Sequence, residues 1–197
     1  MRVVLWILAL GLLAPWPGAA RQTSASTEHG LGARLLGPVA TLAASAEWVR
    51  FDAAVADGEF ELAYLRAERA LALDPLSPYG WVRLGSHMIF ERGGALFEPD
   101  PQARVAWMQA GLEVLAEGAE RSRARASLLV LRGQILGFFV AELAADPEEP
   151  LPWPGGTTAA SVAALSDLEE AEALGHPLAA QRVHDVRHQA TERASGR

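Results

Sequence analysis

Two histidines four residues apart, His184 and His188, and three acids around a glycine pair, Glu91, Glu98 and Asp100, are the side chains in this 197-residue chain whose spacing could do chemistry. On a helix, an i, i+4 histidine pair sets both imidazoles on one face, where they can chelate a divalent metal. A closed site needs a third ligand. Asp185 points elsewhere on the wheel and no HExxH pattern is present, so the pair reads as a solvated polar face. Carboxylates drawn from Glu91, Glu98 and Asp100 could serve acid–base hydrolysis or hold calcium, yet neither an EF-hand order nor any other specific pattern surrounds them. His87 lies beside Met88, and His176 follows Gly175, where a helix C-terminus favours its charge. No GxSxG elbow, phosphate-cradling loop or kinase signature occurs. Cysteine is absent, which removes disulfides, thiolate nucleophiles, thiolate metal sites and lipid attachment through cysteine. The expectation is therefore no catalytic residue, no metal and no cofactor. The competing class is a hydrolase or metal-dependent enzyme whose acids or histidines converge only in three dimensions.

The elements that would position these groups are helices. Alanine, leucine, glutamate and arginine dominate, while valine and isoleucine are too sparse to supply many strands, so the fold class is all-α. A first helix is expected over 38–56, with Leu42, Ala46, Val49 and Ala53 forming one apolar face before Gly58 ends it. The second, over 59–73, carries Leu62, Leu65 and Leu73 beside a ridge of Ala63, Ala67 and Ala70 that permits close helix approach. Asp74-Pro75 stops it, and Ser77-Pro78 supplies an N-cap and a first-turn proline for the third, over 78–91. Residues 92–99 read as an inserted loop. Asp100-Pro101 opens a fourth helix with Ala103, Trp107 and Ala110 in register. The fifth, over 122–145, is apolar on most sides, which implies burial between neighbours. A proline-rich loop over 146–156 carries Trp153, expected to pack down on its own fold, and two last helices follow over 157–174 and 177–194, the final one with Leu178, Val183 and Val186 inward.

From Ala44 to Leu84 the order and spacing resemble the tetratricopeptide repeat, a helical hairpin of about 34 residues. Ala63, Ala70 and Pro75 fall in register, and Trp81, Leu84, Gly85 and Met88 follow W-x2-L-G-x2-Y with methionine in the tyrosine place. An interrupted second repeat extends the resemblance to about Glu117. The resemblance implies a right-handed α-solenoid of about six or seven helices and a non-catalytic scaffold that holds a protein or peptide partner in a concave groove. It places Trp48, Asp52, Val55, Tyr79, Val82, Ser86 and Ile89 on that groove, where their aromatic content could grip an extended or helical peptide. The basic and asparagine residues by which some family members clamp a terminal carboxylate are not reproduced at Val49, Arg83 or their neighbours. Closure of the groove by the fifth helix or the last hairpin stands as the other outcome.

Arg2, the apolar run Val3 to Leu13 and the small residues Gly18-Ala19-Ala20 form the three parts of a secretory signal over 1–20. That run is too short to cross roughly 30 Å of hydrocarbon as a helix. The expected organisation is a signal over 1–20, a flexible tether over 21–32 and one helical domain over 33–197, exported to the periplasm or cell surface. An uncleaved N-terminal segment would instead tether the protein to the membrane. Every basic side chain is an arginine, scattered among acids, and the net charge of −7 argues against nucleic acid as a partner.

Overall fold

Chain reversals fall where glycine or proline forbids a helix to continue. A computed structural model describes residues 29–195, with side chains from residue 39 onward. Every regular element among them is helical. Helix α1 spans His29–Ala56 and α2 Phe60–Leu73. Helix α3 spans Pro78–Ser86 and runs on through a π-helical turn, His87–Arg92. Helix α4 covers Pro101–Arg121. In α5, Arg125–Gln134 continues through a second π turn, Ile135–Val140, into Ala141–Ala145. Helices α6, Gly156–Ala173, and α7, Ala179–Ala194, close the order. The expected signal over 1–20 and tether residues 21–28 lie outside the described residues; α1 begins at His29, inside the last part of the expected tether.

Each helix packs against its neighbours in sequence, and α5 also touches α7. Gly58 takes φ 76° between α1 and α2, the left-handed region that glycine enters without steric cost. At Gly85 the reason is proximity rather than φ. A Cβ there would meet Leu115 Cγ at 2.8 Å and the Gly111 carbonyl oxygen at 3.0 Å, so α3 and α4 approach backbone to side chain. Asp100 caps α4 as its sequence indicates, accepting from the Gln102 N–H at 3.2 Å. Ser77 precedes Pro78 in an extended conformation, but its side chain makes no capping bond.

One core runs through the stack, including Trp81, Leu84, Met88, Met108, Leu115, Leu128, Leu168 and Val186. The alanine ridge of α2 is buried as expected, with Leu62 and Leu65 on its outer side. Three expected faces are displaced. In α1 the buried residues are Ala40, Ala44, Trp48, Phe51 and Ala54, whereas Leu42, Ala46, Val49 and Ala53 are exposed. The helix is apolar nearly all round, so periodicity offered two faces, and the one with two aromatic rings removes more apolar area from water. In α4 the core side is Val105, Met108, Leu112 and Leu115, leaving Ala103, Trp107 and Ala110 half-buried. In α7, Val183 and Val186 are buried but Leu178 is exposed.

Among the described residues one helix, Arg125–Ala145, is long and apolar enough to cross a membrane. Half of its most apolar window is covered by the rest of the fold, and the bidentate pair from Arg132 to the buried Asp167 of α6 fixes it laterally at 2.6 and 2.5 Å. Burial raises the Asp167 carboxyl against the opposing effect of Arg132 and leaves it above its ordinary value.

Candidate partner-binding groove

The facing sides of α1 and α3 enclose an open groove of about 520 Å³. Helical spacing brings Asp52 and Val55 to its α1 wall and Tyr79, Val82 and Ser86 to its α3 wall, so five of the residues placed there from sequence line it. Trp48 and Ile89 do not. Trp48 is 6% exposed and Ile89 fully buried, and both belong to the core beneath. Trp48 lies inward because Gly80 leaves room for its ring; a Cβ on Gly80 would meet Trp48 Cζ2 at 2.9 Å. Ile89 lies to one side of the face that Tyr79, Arg83 and Ser86 share and turns into the core. In the π turn the Gly93 N–H reaches back five residues to the Met88 carbonyl at 2.9 Å, while Phe90, four residues after Ser86 and seven after Arg83, shares their face and lines the groove.

Arg83 forms the polar centre of the groove. Its guanidinium pairs with Asp52 across the gap, donates to the Tyr79 hydroxyl at 2.9 Å, and lies 5.4 Å from the Trp48 ring and 5.7 Å from that of Tyr79. These contacts fix a planar cation against aromatic faces while the other side stays accessible, at 25% side-chain exposure. One turn on, His87 Nδ1 donates to Glu91 Oε2 at 2.8 Å, the tautomer a carboxylate partner demands. The ring sits edge-on to Phe51 at 5.3 Å. Phe90, 45% exposed, meets Phe139 of the second π turn at 5.1 Å, so the two irregular turns join at the end of the groove.

Behind this wall lies an aromatic and cationic layer. Arg92 stands 4.2 Å over the Phe60 ring and 4.9 Å over that of Trp107, and Trp107 stacks on Tyr64 at 5.9 Å. Burial pushes the Tyr64 phenol up to about 12, so it is neutral throughout the working pH range.

The groups with the strongest chemical signal in sequence lie at three separate places, on α3, at the start of α4 and on α7. His87 and Glu91 meet, with His87 Nε2 buried and Glu91 largely exposed. Glu98 accepts from the Asp100 N–H at 3.1 Å, and both serve the start of α4. His184 and His188 stack at 6.4 Å between ring centres on an exposed face of α7, and Asp185 and Glu192 approach their Nδ1 atoms at 3.9 and 3.4 Å. No group of three or more potential ligands positioned for a metal occurs among the described residues. His176 lies in the turn between α6 and α7, where its Nδ1 accepts from the Leu178 N–H at 3.3 Å. Trp153 is half-buried against the core, with Leu151 anchored beneath by a 2.8 Å bond from its N–H to the Leu143 carbonyl.

The groove residues missed from sequence are Phe51, Ala56, Arg83, His87, Phe90 and Glu91. Arg83 and His87 each follow a chosen position by one residue, and a helical face wide enough for i, i+3 and i+4 would have admitted both. No protein-family model, curated protein or solved structure matches this chain.

Proposed function

We propose that this chain is a non-catalytic interaction module, a tetratricopeptide-like right-handed solenoid that holds a protein or peptide partner in the α1–α3 groove. The observation that carries this reading is the groove's surface chemistry. Tyr79 and Phe90, 60% and 45% exposed, flank a cation already held in one orientation, with Val55 and Val82 between them. Rigid aromatics beside a fixed arginine are the side chains that dominate binding energy at protein interfaces. Helices packed in sequence order, with the alanine ridge buried and Gly85 against α4, support the repeat resemblance. The three-part pattern over residues 1–20 supports export to the cell envelope, with membrane tethering through that segment as the second form of the same role.

Selection of a displayed peptide library on the immobilised full chain tests this directly. The expected result is a family of related peptides that bind the parent and lose at least tenfold in affinity to a Val82→Arg variant that keeps its helical circular dichroism. Peptides that bind both proteins equally would place recognition elsewhere.

A further inference from the structure

Helix α1 carries a second apolar face that no other described residue covers. Val39, Leu42 and Val49 are 63%, 70% and 68% exposed, and Ala46, Ala53 and Ala56 lie on the same side. Successive members are three or four residues apart, the spacing of a heptad seam, and the stripe lies opposite Ala44, Trp48 and Phe51, which pack into the core. It lies on the first of the described helices, at the end of a stack where a solenoid requires a polar outer surface. No charged residue interrupts it.

The stripe is complementary to itself. Placed antiparallel against a copy about a midpoint between Glu47 and Trp48, Val39 meets Ala56, Leu42 meets Ala53 and Ala46 meets Val49, so every layer sets a branched side chain against a methyl group. Alternation of large and small is what interdigitated helix packing needs, and a two-fold axis repeats each layer on the other side. Flanking charges meet no like charge, since Arg50 falls beside Ser45 and Asp52 beside Ala43 of the copy. We propose that this face of α1 is the contact of an antiparallel homodimer. The contact runs about 26 Å along the helix, small for a protein interface, so the dimer is reversible, with association in roughly the micromolar range. The seam meets each groove only at its edge, at Ala56 and Asp52, while Val55, Tyr79, Val82 and Phe90 lie outside it, so the dimer presents two grooves to one partner.

The chain has no cysteine, so introduced thiols report without background. Full-length Leu42→Cys and Ala53→Cys proteins, mixed under mild oxidation, are expected to form a disulfide-linked dimer containing one copy of each. Alone, each is expected to form at least tenfold less, because an antiparallel register separates like positions by about 16 Å along the axis, beyond disulfide reach. In parallel, sedimentation of the wild type from 1 to 200 µM is expected to show a monomer–dimer equilibrium that Leu42→Arg shifts to monomer without changing circular dichroism. Cross-linking of each variant with itself would mean a parallel pair. A wild type that stays monomeric, with thiols shielded by residues 3–13 of the same chain or by lipid vesicles, overturns the proposal. So does association that Leu42→Arg leaves intact.

Discussion

Gly85 and Leu115 offer a quantitative test of how α3 meets α4. Adding a methyl group at residue 85 puts Cβ 2.8 Å from Leu115 Cγ and 3.0 Å from its Cδ2, contacts that a fully buried leucine cannot relieve without moving a neighbour. Gly85→Ala is therefore expected to destabilise by about 1–2 kcal/mol, the overpacking cost being partly offset by alanine's better helix propensity. Leu115→Ala leaves a cavity and is expected to cost about 3 kcal/mol. In the double variant the new methyl group enters the space Leu115 vacated, while its 3.0 Å approach to the Gly111 carbonyl remains. The two changes should then be less harmful together than their sum by about 1–2 kcal/mol. Propensity cancels in that difference. Urea unfolding of the four proteins measures it, and additivity within about 0.4 kcal/mol would refute this register of α3 on α4.

Trp48→Ala is expected to cost about 3–5 kcal/mol and Tyr79→Ala less than about 1 kcal/mol in thermal or urea unfolding, because one ring is core and the other lies at the surface. Asp100→Ala should lose about 1 kcal/mol through the α4 cap, and Asp100→Asn should retain most of it. Asp167 holds its proton to higher pH folded than unfolded, so its contribution is fully present below the unfolded value and is lost as pH rises through the folded one. The stability of the wild type relative to Asp167→Asn is accordingly expected to fall as pH rises out of the acidic range, measured by urea midpoints at several pH values. A flat difference would contradict burial as the dominant influence on that carboxyl.

Helix order was legible because its punctuation is local: Gly58, Pro75, Pro78, Asp100-Pro101 and Gly175 act within a turn or two of themselves. Which side of a helix turns inward was less legible where both sides are apolar. Leu42 and Val49 satisfy the same periodicity as Trp48 and Phe51, and the contest was decided by α2 and by Gly80, which makes room for the indole. Within the groove, Tyr79 and Val82 were found because α3 begins as an ordinary helix at Pro78. Phe90 was legible too, four residues after Ser86 on the same face, but the expected face was taken through its neighbour Ile89. Arg83 stood in view but gained its role only when Asp52, distant in sequence, came across the gap.

The central claim is that the α1–α3 groove holds a partner. A photo-cross-linking benzoylphenylalanine in place of Tyr79, compared with one in place of Val162, which is 62% exposed on α6, tests it in the cell that makes the protein. The account predicts a discrete adduct at position 79 that is absent at 162 and disappears when Arg83→Glu is added. The same adducts at both positions, or none at 79 while 162 captures a protein, would contradict it.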